Sequence, residues 1–132
     1  RLIAMTITAR LDNLKLVQTL IMEHPDIPDA SKKKLCLAAE EVFVNICSYA
    51  YEGEAGLVEI TLEATGPIVM TFRDEGRPFN PLDNPADPDD YDLDTQIGGL
   101  GRLIAFGFVD DVSYAYEDSR NVLALKFKIS HP

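Results

Sequence analysis

Five runs of alternating apolar and polar residues constrain this chain more than anything else in it. Ile3, Met5 and Ile7 alternate with Thr6 and Thr8 across residues 2–9. Val58, Ile60 and Leu62 alternate with Glu59, Thr61 and Glu63, and Ile68, Met70 and Phe72 take up the same period after Gly66-Pro67. Val112, Tyr114 and Tyr116 lead into a polar turn at Asp118, Ser119 and Arg120, after which Leu123, Leu125, Phe127 and Ile129 resume it. A two-residue period sends successive side chains to opposite faces, so each run predicts a strand. The two turns predict two hairpins.

Helical spacing fills the rest of the first half. Leu14, Val17, Leu20 and Ile21 predict a helix over 11–23, ended by Pro25 and Pro28. Leu35, Ala39, Val42, Ile46 and Tyr49 form the apolar stripe of a longer helix from about 31 to 51. Residues 100–108 are apolar enough for a further helix started at the glycines before them. No internal repeat is visible. The pattern predicts an α/β (α+β) two-layer sandwich, with helices on one face of a mixed, mostly antiparallel sheet.

At 132 residues and 46% hydrophobic content the chain reads as one globular domain, 1–132. Its net charge of −10 argues against nucleic acid and anionic membranes, which select basic patches. It also means that a phosphate ligand would need backbone N–H groups, a metal ion and a few local cations. No apolar run approaches the roughly 20 residues of a membrane span, and no signal-peptide pattern opens the sequence. Cys36 and Cys47 on one helix would lie roughly 16 Å apart along its axis, whereas a disulfide needs Cα atoms within about 7 Å. Two free thiols suit a reducing, cytoplasmic setting.

Residues 74–98 behave differently from the rest. They hold Pro78, Pro81, Pro85 and Pro88 with six aspartates from Asp83 to Asp94, and little that could enter a core. Two readings stand: a solvated insert, or a lid over a ligand. Glu41, Asn45 and Ser48 fall on one polar stripe of the long helix. Glu41 has apolar neighbours in Leu37, Ala38 and Val44, and is either an exposed helix glutamate or a carboxylate with a task. Asp74-Glu75-Gly76, followed by Pro78 and Phe79, is ordinary turn chemistry or an adenine-reading carboxylate beside a glycine that admits the base. Gly98-Gly99-Leu100-Gly101 before Arg102 offers bare N–H groups, a helix dipole and a cation to phosphate. It fits neither the dinucleotide-binding nor the P-loop fingerprint. His24 and His131 form no metal-ligand pattern.

Taken in order, Glu41-x-x-x-Asn45, Asp74-x-Gly76, a long acidic segment and Gly98-Gly99-Leu100-Gly101 resemble the ATP-binding fold shared by gyrase-type ATPases, histidine kinases and anti-sigma kinases. Within that superfamily the chain is similar to the anti-sigma regulatory serine/threonine kinases, from the first strand to Arg120-Asn121-Val122-Leu123. The resemblance implies a Bergerat-type fold with an ATP lid at about 77–98. It implies Glu41 as general base, Asn45 as ligand of Mg²⁺, and Asp74 with Gly76 at adenine. Tyr49, Phe79, Gly98, Gly99, Leu100, Gly101 and Arg102 would complete the contacts to ATP. A sigma factor or other regulatory target and an antagonist domain bearing a serine would be the partners, with a homodimer also compatible. Three positions depart from the family: Tyr49 stands where His is frequent, Arg102 where an aliphatic residue is frequent, and Ala124 where a Thr often helps hold the adenine site. A non-enzymatic binding module and the catalytic domain of a histidine kinase are the competing readings.

Overall fold

The structure, a computed structural model, describes residues 2–82 and 108–128. Strand β1 (Leu2–Thr8) opens the chain. A tight turn of 3₁₀ helix at Leu11–Asn13 leads into α1 (Leu14–Met22), so the predicted first helix begins one turn late. His24 closes the link to the next helix. Its buried Nδ1 accepts the Asp26 N–H at 3.1 Å, while Nε2 finds no partner among the described residues. Helix α2 (Asp29–Asn45) starts after extended Pro28, with Asp29 at the positive end of its dipole. It then widens into a π-turn over Ile46–Ala50, where the Tyr51 N–H reaches back to the Ile46 carbonyl at 3.1 Å. The predicted helix 31–51 is therefore present, but its last turn is not α-helical.

Strands β2 (Leu57–Glu63), β3 (Ile68–Asp74), β4 (Asp111–Glu117) and β5 (Arg120–Phe127) form both predicted hairpins. Asp118 and Ser119 take φ of 53° and 62°, so the β4–β5 turn is the two-residue kind whose twist matches its strands. The sheet order is β1-β2-β3-β5-β4, and every pairing is antiparallel. The expected two-layer fold with a mostly antiparallel sheet is thus present, and among the described residues the pairing is antiparallel throughout. Short hairpins make the β2–β3 and β4–β5 pairs, β1 joins the edge of β2 across both helices, and β5 inserts beside β3.

One face of this sheet carries the core. Val58, Ile60, Leu62, Ile68, Met70, Phe72 and Leu125 are buried there with Val17 and Ile21 of α1 and Leu35, Ala39, Val42, Phe43 and Ile46 of α2. Fully burying each such side chain contributes about 1.5–3 kcal/mol. The opposite face shows Thr6, Glu59, Thr61 and Arg73 to solvent or partly so, with Arg73 paired to Glu59 at 3.6 Å. Tyr49 leaves the stripe assigned to it and is 49% exposed, because the wide π-turn rotates it off the line through Leu35, Ala39, Val42 and Ile46. Cys36 and Cys47 are both free thiols. Among the described residues no helix is long and apolar enough to cross a membrane.

Candidate functional site

Asp74 is the last residue of β3 and lies in phase with Ile68, Met70 and Phe72, so its carboxylate is carried onto the covered face. It is only 3% exposed. Directly opposite stands Asn121 of β5, also 3% exposed. The Asp74 Oδ1 accepts the Asn121 Nδ2–H and the Gly76 N–H, both at 2.9 Å. Oδ2 accepts no hydrogen bond among the described residues. Burial raises the Asp74 pKa above the ordinary aspartate value, and the bonds from Asn121 and Gly76 pull against that rise. A buried carboxylate with an uncommitted oxygen is suited to take a donor such as an exocyclic amine.

Asn121 joins four groups. Its Nδ2 also donates to the Arg77 carbonyl at 2.8 Å, and its Oδ1 accepts the Phe79 N–H at 3.0 Å and the Tyr114 hydroxyl. The amide thereby pins the segment leaving β3 against both β4 and β5. Sequence reasoning missed Asn121, although a signal was present: a polar residue two before Leu123, in phase with the inward side chains. Ala124, noted in the sequence only as a departure from the family, pairs with Thr71 and alternates onto the side away from Asp74.

The other wall comes from α2. Asn45, half-buried at its last residue, lines one cavity with Val42, Ile46, Ala50, Asp74, Phe79, Tyr114 and Asn121. That cavity is narrow, ≈ 20 Å³, about room for a water molecule. An aromatic base would enter only if the lining parted. Glu41, one turn earlier, is half-buried and is not among the lining residues. Desolvation, then the charge of neighbouring Glu40, raises its pKa above the ordinary value. Ser48, expected on the same stripe, lines a separate cavity of ≈ 430 Å³ with Arg10, Asp12, Cys47 and Glu54. The π-turn is the cause: with more residues per turn, positions three apart no longer share a face.

Gly76 is required by packing. A Cβ built on it would lie 2.5 Å from the Ala50 carbonyl oxygen, a contact no side chain tolerates. The sequence reading had its small size making room for a base, whereas the neighbour it accommodates here is the end of the π-turn. There the Arg77 N–H donates to the Ala50 carbonyl at 2.9 Å, and Arg77 Nε reaches both the Tyr49 carbonyl at 2.8 Å and Glu52 at 2.9 Å. Tyr51 adds a second clasp. Its hydroxyl donates to the Leu57 carbonyl at 2.6 Å and accepts the Glu75 N–H at 2.8 Å, and its ring occupies the space a side chain at Gly56 would need. Tyr49 and Phe79, both assigned to ATP, stack with ring centroids 5.1 Å apart.

The structure therefore brings Asn45, Asp74 and Phe79 to one cavity, sets Tyr49 against Phe79 and Gly76 against Ala50, and leaves Glu41 one turn away. Gly98, Gly99, Leu100, Gly101 and Arg102, the expected helix 100–108 up to 107, and the expected lid from 83 to 98 lie outside the described residues. Among the described residues no group of three or more His, Cys, Asp or Glu could hold a metal ion. Mg²⁺ bound with ATP needs no such group, because phosphates and water supply most of its ligands, so one amide at Asn45 fits that role.

No curated protein matches the chain in sequence. In fold it is similar to the crystal structure of the RsbU and RsbW domains of Rv1364c from Mycobacterium tuberculosis, with a TM-score of 0.67 and 14% identity over 100% of this chain and 33% of that one. The chain thus spans one third of that protein's length. Residues 7–127, which include both walls of the cavity, the end of β1 and all of strands β2 to β5, match the histidine kinase-like ATPase domain. With the match running from β1 to β5 and the helix, aspartate turn and sheet in the required order, the chain belongs to the histidine kinase-like ATPase domain family.

Proposed function

We propose that the chain is an ATP-binding anti-sigma regulatory factor, a serine/threonine protein kinase that works by partner switching in the cytoplasm. Asp74 reads adenine with Gly76 beside it, Asn45 holds Mg²⁺, and Tyr49 and Phe79 flank the nucleotide. The glycine-rich segment 98–101 and Arg102 take the phosphates. The metal supplies charge neutralisation at the phosphate oxygens. Glu41 accepts the proton of a serine hydroxyl on an antagonist domain as its oxygen attacks the γ-phosphorus; the bond from that phosphorus to the ADP oxygen breaks, giving phosphoserine and ADP. A carboxylate whose pKa burial has raised is a better base for that step than an ordinary glutamate. ATP or ADP then decides whether a sigma factor or the antagonist is held, through different affinity for the two states.

One observation carries the reading. Asn45 and Asp74, separated in the sequence by the π-turn and the β2–β3 hairpin, line the same cavity, and Asp74 is buried with one oxygen uncommitted. The test is isothermal titration with ATP and ADP, with and without Mg²⁺, followed by incubation with a cognate antagonist domain. ATP binding that Mg²⁺ strengthens in the parent protein and not in Asn45→Ala supports the reading, as does phosphoserine formation. An absence of nucleotide binding removes it.

A second reading, a nucleotide-binding module without catalysis, is favoured by the position of Glu41 away from the cavity lining. Phosphotransfer lost in Glu41→Ala with ATP affinity retained supports the kinase. Partner binding unchanged by that substitution, with no transfer by the parent protein, supports the module.

A further inference from the structure

A helix ends with carbonyls that no later N–H of its own can reach. In the π-turn Ile46–Ala50 the Ile46 and Cys47 carbonyls are met locally, by the N–H groups of Tyr51 at 3.1 Å and Gly53 at 2.9 Å. The Tyr49 and Ala50 carbonyls are met from far along the chain, by Arg77. Its backbone N–H donates to Ala50 at 2.9 Å and its Nε–H to Tyr49 at 2.8 Å. The same Nε lies 2.9 Å from a carboxylate oxygen of Glu52. Glu52 takes φ of 53°, left-handed backbone that a residue with a side chain rarely adopts. Such a conformation persists where its surroundings hold it, and it clusters at working sites. Arg77 also sets a cation at the negative end of the helix dipole.

What this clasp connects gives it a role beyond capping. On one side is the base-reading turn: Asp74 accepts the Gly76 N–H at 2.9 Å, and Asn121 donates to the Arg77 carbonyl at 2.8 Å. On the other side is the helix end that carries the metal ligand. Asn45 immediately precedes the π-turn, and Asn45, Ile46 and Ala50 line one cavity with Asp74. That cavity, ≈ 20 Å³, admits a base only when its walls part. Arg77 is bonded to both walls, so neither moves without the other. A base at Asp74 and a metal at Asn45 both require the parted arrangement. Whichever arrives first therefore lowers what the second must displace, and by linkage each tightens the other by the same factor. Without the clasp the walls part separately and that mutual gain is lost.

We infer that Arg77 is the positioning residue that ties the base-reading turn to the metal-holding helix end, so that base and Mg²⁺ bind cooperatively. It acts through Tyr49, Ala50 and Glu52 and touches neither ligand. The inference rests on the nucleotide reading above and assigns the link between its two halves.

Two variants isolate the clasp. Arg77→Gln sets an amide nitrogen as many bonds from the backbone as the arginine Nε, so it can still donate to the Tyr49 carbonyl, but without charge. Arg77→Met is of similar length and has no donor. Both keep the backbone bond to Ala50, and the Arg77 side chain is 54% exposed, so neither opens a hole in the core. Titration calorimetry of the full chain with ATP, with and without Mg²⁺, gives the factor by which the metal tightens ATP binding; circular dichroism checks the fold. Arg77→Met is expected to lower that factor at least about fivefold, the lower end of ordinary coupling between sites. Arg77→Gln is expected to retain most of it. An Arg77→Met variant with the parent's factor, even if it binds ATP more weakly throughout, overturns the inference, since Arg77 is then only a cap on the helix end. So does an Arg77→Gln variant that falls as far as Arg77→Met, because the charge and not the clasp is then responsible. A parent protein that binds no nucleotide fails at the earlier step and removes the function proposed above together with this link.

Discussion

The strands β3 and β5 run side by side on one register, yet their two ends are chemically opposite. In the middle of the pair Met70 faces Leu125, both fully buried, and toward one end Ile68 faces Phe127. At the other end Asp74 faces Asn121, and these are buried just as thoroughly. The backbone pairing is the same throughout; only the side chains differ. Apolar pairs gain from leaving water, whereas a carboxylate loses hydration and is tolerated only where hydrogen bonds replace it. The polar end is held by a hydrogen-bonded network that offsets the lost hydration and sets an acceptor facing a cavity, the arrangement expected where binding rather than packing sets the residue.

Three substitutions separate these ends. The largest effect is expected at the apolar one. Met70→Ala leaves a cavity among Leu62, Phe72 and Leu125 and should cost about 2–5 kcal/mol, read as a lower urea midpoint with unchanged slope. Asn121→Leu comes next. It keeps roughly the same shape but strips the partners from Asp74, the Phe79 N–H and the Arg77 carbonyl, costing about 1–3 kcal/mol by leaving buried groups unpaired. Equal or greater stability of this variant would show that the network contributes nothing to the fold.

The smallest effect is Asp74→Asn, in which the amide oxygen can still accept from Gly76 and Asn121. Its difference from the parent should depend on pH. The folded carboxyl has a pKa above the ordinary 3.8 of the unfolded chain, so between those two values the folded state binds more protons and parent stability falls as pH rises. Above the folded value the loss is complete and constant. The parent should therefore be relatively more stable than Asp74→Asn at pH 3.8 and below, and lose that advantage as pH climbs. Urea unfolding of both proteins across the acid range checks this, and a flat difference would mean that burial exerts no such effect on Asp74.

The same contrast explains what could be read early and what could not. Strand periods around Ile60, Met70 and Leu125 announced the sheet because apolar phase is a local property of sequence. The proline and turn signals bounded most elements to within a few residues. Asp74 was legible as a candidate site residue through its position two before Gly76. Asn121 sat openly in the inward phase of β5, but nothing local says what a polar inward residue will face. Its partner is 47 residues away. The placement of Ser48 failed for another reason: the stripe assumed an α-helical period, and the turn Ile46–Ala50 does not keep one. Short side chains at Ser48 and Ala50 and the clasp by Arg77 at Ala50 accompany that widening, and only the last is a fact of tertiary contact.

By itself, then, the sequence determined the strands, the helices, which face of each is apolar, the two hairpins and the order of the motifs, because each depends on residues within a turn or a pleat of one another. The tertiary structure decided that β5 inserts next to β3, that Asn121 and not Ala124 meets Asp74, and that Gly76 is small to fit Ala50. These depend on long-range register, and a register is fixed only when whole faces must be buried together.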